Sequence, residues 1–110
     1  MSTNRLPVTR GSAWPIHGWV FLHGQPVSLV DKQLEIVIAT PDHHTAIRSY
    51  HTGDGIIQRE DGSFTFQIPA AHTREFDADH YRLELWIIDE GEPYHIFTAD
   101  LEVNPSARNG

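Results

Sequence analysis

The chain contains no cysteine, so disulfide staples and thiolate metal sites are both excluded. Positive charge is scarce. Eight Lys and Arg stand against fifteen Asp and Glu, a formal net charge of −7 with histidine neutral. The basic residues are scattered singly and form no patch able to hold a phosphate backbone or an anionic membrane surface. Neither nucleic acid nor membrane is therefore an expected partner. No apolar run has the length of a membrane-spanning helix, and Met1-Ser2-Thr3-Asn4-Arg5 lacks the apolar segment of a secretion signal. The expectation is a soluble protein that leaves its cell only by a route such as lysis. Internal repeats and low-complexity segments are missing too.

What remains is 110 residues, the size of one domain. Such a chain buries roughly two-thirds of its unfolded surface, enough to fold without staples. Its apolar residues recur with period 2. Leu34, Ile36 and Ile38 alternate with Glu35, Val37 and Ala39, and Phe64, Phe66 and Ile68 with Ser63, Thr65 and Gln67. The same holds for Tyr81, Leu83, Leu85 and Ile87, and for Phe97, Ala99, Leu101 and Val103. Alternation of this kind turns one row of side chains into a core and the other towards water. The row of Trp86 and Ile88 departs from it. A strand apolar on both faces is central in its sheet or covered by a partner.

Turn signals separate these runs. His23-Gly24-Gln25-Pro26 ends a first strand at about 14–22, and Thr40-Pro41-Asp42 ends the strand at 34–39. Thr52-Gly53-Asp54-Gly55 precedes a short strand at Ile56-Ile57. Glu60-Asp61-Gly62 signals a tight two-residue hairpin loop, because Gly62 can take the positive φ that such a loop needs. Glu90-Gly91-Glu92-Pro93 joins the last two long strands. The only helical turn expected lies within 69–75. About seven or eight strands, with turns every 8–12 residues, predict an antiparallel sandwich or barrel. Tyr81 opens a late strand, where an Ig-like sandwich often turns a tyrosine hydroxyl back onto upstream backbone; an ordinary core tyrosine is the alternative. The domain is expected to span 6–104, with flexible ends at 1–5 and 105–110.

Eight histidines are the compositional oddity. His43, His44 and His51, flanked by Asp42 and Asp54, are the weak candidates for a metal site, since neutral imidazole ligates zinc, nickel and copper. Adjacent histidines on a strand point to opposite faces, and the helical spacing of catalytic zinc sites is missing. The expectation is a solvated, histidine-rich loop without a metal or other cofactor. Catalysis is not expected either. No serine sits in a nucleophile elbow, and Asp89, Glu90 and Glu92 read as a solvated hairpin tip. Trp14, Trp19, Phe21, Tyr50, Trp86 and Tyr94 either form a platform for sugar rings or pack a core, and period-2 spacing favours the core for most of them. Trp86 lies opposite the Leu83 and Leu85 row. With Ile88 it is the candidate interaction site.

Several segments, taken in order, carry a family resemblance. They are Leu6-Pro7-Val8-Thr9-Arg10-Gly11, Pro26-Val27-Ser28-Leu29, Gly55-Ile56-Ile57, Asp61-Gly62-Ser63-Phe64-Thr65-Phe66-Gln67-Ile68-Pro69-Ala70, Tyr81-Arg82-Leu83-Glu84-Leu85 and Leu101-Glu102-Val103-Asn104-Pro105. Together they resemble short proteins and N-terminal domains encoded among the tail genes of bacteriophages and prophages, similar to the N-terminal domain of baseplate upper proteins. The resemblance covers about residues 6–105. Trp14-Pro15-Ile16-His17 departs from it, and so does the histidine content. It implies an all-β, Ig-like antiparallel β-sandwich serving as an adaptor or attachment module of a virion made in the bacterial cytoplasm. The implied partners are other virion structural proteins, with homo-oligomers in the particle. A capsid-decorating or fibre-borne module that binds host polysaccharide is the alternative.

Overall fold

The structure is a computed structural model and describes residues 4–42 and 45–106. Strands dominate it. Seven have six or more residues: β1 (Asn4–Thr9), β2 (Trp14–Trp19), β5 (Gln33–Ala39), β6 (Ala46–His51), β8 (Ser63–Ile68), β9 (His80–Asp89) and β10 (Glu92–Asn104). Three have two residues each: β3 (Phe21–Leu22), β4 (Gln25–Pro26) and β7 (Ile57–Gln58). Among the described residues helix is confined to α1 (Ala70–Thr73), inside the expected segment. No helix among the described residues is long and apolar enough to cross a membrane.

A five-stranded sheet has the order β1-β10-β9-β5-β6, and a three-stranded sheet the order β2-β8-β7. Their inward rows form one apolar cluster. Leu34, Ile36, Leu83, Leu85 and Leu101 from the first sheet meet Phe64, Phe66 and Ile68 from the second. The Tyr50 and Phe66 rings, 4.8 Å apart at their centroids, link the two sheets directly. Of the fourteen residues in the expected inward rows, all but Phe97 are buried, and Phe97 is half-buried. Strand β9 is central in its sheet, between β10 and β5, so its outward row is flanked on both sides by neighbouring strands.

Several expectations need correction. Pairing is not antiparallel throughout, because β1 runs parallel to β10, from Asn4 opposite Ala99 to Thr9 opposite Asn104. This pairing draws Asn4 and Arg5 out of the expected flexible arm; residues 1–3 and 107–110 lie outside the described residues. The first strand is broken at Val20. This residue is buried, its N–H donates to Gly62 O at 2.8 Å, and the chain then leaves β8 to form the β3–β4 hairpin. The Asp61-Gly62 turn is a three-residue loop. Arg59 N–H donates to Ser63 O at 3.0 Å across Glu60, Asp61 and Gly62, and Gly62 takes φ +87° in the bulge position of such loops. Two-residue loops do occur elsewhere, at His23-Gly24 and Glu90-Gly91. There φ is positive at both residues, the pattern that matches strand twist.

The short helix fastens the β1–β2 corner. Thr73 is fully buried; its Oγ1 donates to Ser12 O at 2.8 Å and accepts from Gly11 N at 3.1 Å. Arg10 Nε donates to Phe76 O at 2.6 Å. Trp14, Ile16, Gly18 and Val20 therefore face the core, and Pro15, His17, Trp19 and Phe21 face outwards.

Candidate functional site

An apolar cleft of about 420 Å³ opens between the two sheets. Ile16, Gly18 and Val20 line it from the inward row, Leu85, Ile96 and Phe97 line it from the five-stranded sheet, and Trp19 and Phe21 border it at the rim. Its volume falls in the range of ligand-binding clefts. Phe64 also lines the cleft, and Gly18 admits the Phe64 ring against β2, since a Cβ there would stand 2.9 Å from that ring. Opposite, the register of β10 against β9 slips between His95 and Phe97, leaving Ile96 as an extra residue. A bulge of this kind re-aims side chains, and both Ile96 and Phe97 consequently turn towards the cleft.

The mouth of the cleft is aromatic and open. Trp19 is 54% exposed and Phe21 58%, and the His17 ring lies 4.4 Å from the Trp19 ring. Tyr94, further along β10, is 54% exposed. Half of the six aromatics named from the sequence thus lie largely in solvent, contrary to the core reading. For Trp19 the physical reason is parity: Trp14 and Ile16 fill the inward row of β2, so Trp19 falls on the outward one, while Phe21 lies on the β3–β4 hairpin beyond the break at Val20. Tyr50 alone of the six is buried, while Trp14 and Trp86 are half-buried.

Trp86 and Ile88 lie on the outer face of the five-stranded sheet, away from the cleft. Trp86 Nε1 donates to Glu84 Oε1 at 2.9 Å, and Glu84 Oε2 accepts from Arg82 Nε at 3.1 Å. The His95 ring meets the indole edge-on, with centroids 5.1 Å apart. Ile88 sits half-buried between Gln33 on β5 and Pro93 on β10.

His51 is exposed at the end of β6. Its Nε2 lies 2.8 Å from Glu35 Oε2, and its N–H donates to Asp54 Oδ2 at 2.8 Å. His43 and His44 lie outside the described residues. Among the described residues no group of three or more His, Cys, Asp or Glu stands close enough to hold a metal ion.

A polar cluster occupies another part of the molecule. The Tyr50 hydroxyl and His72 Nδ1 are 2.8 Å apart, and Arg48 is paired with Glu75. Burial pushes the Tyr50 phenol up, partly offset by Arg48. Arg48 draws the exposed Glu75 carboxyl down through its hydrogen bond and its charge. These groups satisfy one another and fasten α1 to β6.

The cleft itself escaped sequence reasoning, although one signal pointed to it: residues 11–30 contain no Asp, Glu, Lys or Arg. The chain matches no protein-family model, and no curated protein matches it.

Proposed function

We propose that this chain is a non-enzymatic structural protein of a tailed bacteriophage or prophage virion. It is an Ig-like adaptor or attachment module, associated with the tail, baseplate or fibre, that binds other virion proteins. Two sheets sharing one core support the Ig-like sandwich, and so does the Tyr81 hydroxyl. It accepts from the N–H groups of Asp77 and Ala78, four and three residues upstream, each at 3.1 Å. The order of the resembling segments supports the virion setting.

The observation that carries a binding role is the open apolar cleft with its exposed aromatic lip. Monomeric proteins rarely leave such a surface in water without a use. The test is mass spectrometry of particles purified from the producing culture. The protein should be present in many copies; its absence from the particles ends the proposal.

Exposed Trp19, Phe21 and Tyr94 favour one second reading, a module that binds host polysaccharide through ring stacking. That reading requires host polysaccharide to quench tryptophan fluorescence saturably, with loss of the effect in Trp19→Ala.

A further inference from the structure

We propose that the cleft receives an extended segment of a different protein chain, which adds as a strand to the β10 edge over residues 94–98 and seats alternate apolar side chains between the sheets. The idea rests on the adaptor reading and specifies how the adaptor binds.

Backbone pairing points to a strand. On the side of β10 away from β9, β1 occupies only Ala99 to Asn104. Among the described residues no strand pairs with the remainder of that side, so an added strand would continue a track that β1 already uses. Such an edge presents N–H and C=O groups that an extended peptide satisfies and a hydrocarbon ligand does not. The edge is also unguarded. Tyr94, His95, Ile96, Phe97 and Thr98 include no proline, lysine, arginine or acid. The β2 edge across the cleft carries Pro15, which lacks a donor, so β10 is the better acceptor.

Side chains and charge narrow the occupant further. The Ile96 bulge interrupts the ladder once, and the anchor side chain enters there, between Ile96, Phe97 and Phe21. The uncharged walls call for an apolar anchor. The hairpin tip at the 94 end of the edge holds Glu90 and Glu92, both exposed, which calls for a basic residue at that end of the segment. A second copy of this chain fits less well, because each copy carries a charge of −7 and its own acidic tip.

The probe is the synthetic peptide Ac-Lys-Thr-Val-Thr-Ile-Thr-Val-Thr-Lys-NH2. A lysine at each end allows either strand direction. A control peptide has proline in place of its isoleucine. Titration is followed by tryptophan fluorescence, and hydrogen exchange is measured on the full chain. The expected result is saturable binding of the alternating peptide below about 1 mM. It should come with slowed exchange at amides in 94–98 and at least ~tenfold weaker binding of the proline peptide.

Ile96→Lys should abolish binding, with its fold checked by circular dichroism, and Ile47→Ser on the exposed surface of β6, at the other edge of the sheet, should bind as wild type. No binding by the alternating peptide overturns the proposal, and so does equal binding of the two peptides or unchanged exchange in 94–98. Sedimentation of the peptide-free protein as a dimer that Ile96→Lys dissociates overturns the choice of partner in favour of a second copy. The mass-spectrometric test is independent: a protein found in particles that ignores the peptide sinks this mode alone, and one absent from particles sinks the virion role alone.

Discussion

The Tyr81 hydroxyl donates to the Asp77 carboxylate at 2.8 Å while accepting from the Asp77 N–H at 3.1 Å. One phenol thus closes the bend between α1 and β9, with its ring buried against Phe76 at a centroid distance of 5.2 Å. Tyr81→Phe keeps the ring and strands the two N–H groups of Asp77 and Ala78. The expected cost is about 1–3 kcal/mol, the usual penalty for polar groups left unpaired away from water. Urea titration should show a lower midpoint with an unchanged slope. A wild-type midpoint would mean that the bend holds without the hydroxyl.

Tyr81 and Tyr50 both have phenols raised above the ordinary 10.0, in each case chiefly by burial. For Tyr81 the hydrogen bond to Asp77 adds to the rise, and the one from Ala78 opposes it. A raised folded-state value means that the native state holds the proton more tightly than the unfolded chain. The associated stability is complete below the unfolded value of 10.0 and is lost as pH rises through the folded values. Melting temperature should therefore fall above about pH 10. Tyr81→Phe should flatten that fall in proportion to the share of Tyr81.

Gly62 is constrained twice. Its φ is +87°, and a Cβ would stand 2.9 Å from Val20 O and 3.1 Å from Val27 O. Those carbonyls belong to the backbone on either side of the β3–β4 hairpin, which Val27 N–H closes onto Val20 O, so they cannot swing aside as a side chain would. Gly62→Val should cost about 1–3 kcal/mol, well above a surface change. A wild-type melting temperature in this variant would place the constraint elsewhere.

The alternating rows were readable because period 2 reports directly which side of a strand is buried. The same logic failed for residues 14–22. Both rows there are aromatic or apolar, so the pattern does not reveal that Val20, and not Trp19 or Phe21, turns inward. The parallel β1–β10 pair is invisible to local pattern, since it joins residues more than ninety positions apart. The two-residue loops at His23-Gly24 and Glu90-Gly91 begin with residues that seldom take positive φ, whereas Asp61-Gly62 has the favoured composition but sits in a longer loop. The cleft is harder still to see in the sequence. It depends on the Ile96 bulge and on Gly18 lying against Phe64, neither of which leaves a periodic trace.

Leu83 and Phe66 lie in the shared core, 4% and 6% exposed, one from each sheet. Leu83→Ala and Phe66→Ala should each destabilise the domain by about 2–5 kcal/mol. Chemical denaturation measures both. Leu83→Ala also opens the floor of the cleft, so it should increase the fluorescence of an apolar dye such as anilinonaphthalene sulfonate at concentrations where the protein remains folded. A surface-like loss of less than about 0.5 kcal/mol in either variant would contradict the packing of the two sheets on each other.

Two surfaces compete for the role of docking face, and a pair of variants separates them. Trp86 is half-buried on the outer face of the five-stranded sheet, held by Glu84 and His95 but outside the core, so Trp86→Ala should leave the fold intact. Its expected cost is about 1 kcal/mol, for one hydrogen bond and part of an indole contact. If the outer face binds a virion partner, Trp86→Ala lowers incorporation into particles while Ile96→Lys, at the cleft, does not. If the cleft alone binds, the order reverses. Loss in both means that one partner spans the β10 edge and the β9 face together, which adjacent strands permit. Incorporation is read as the ratio of variant to wild-type protein in purified particles from cells expressing equal amounts of each. Normal assembly of Trp86→Ala removes Trp86 and Ile88 from the docking face.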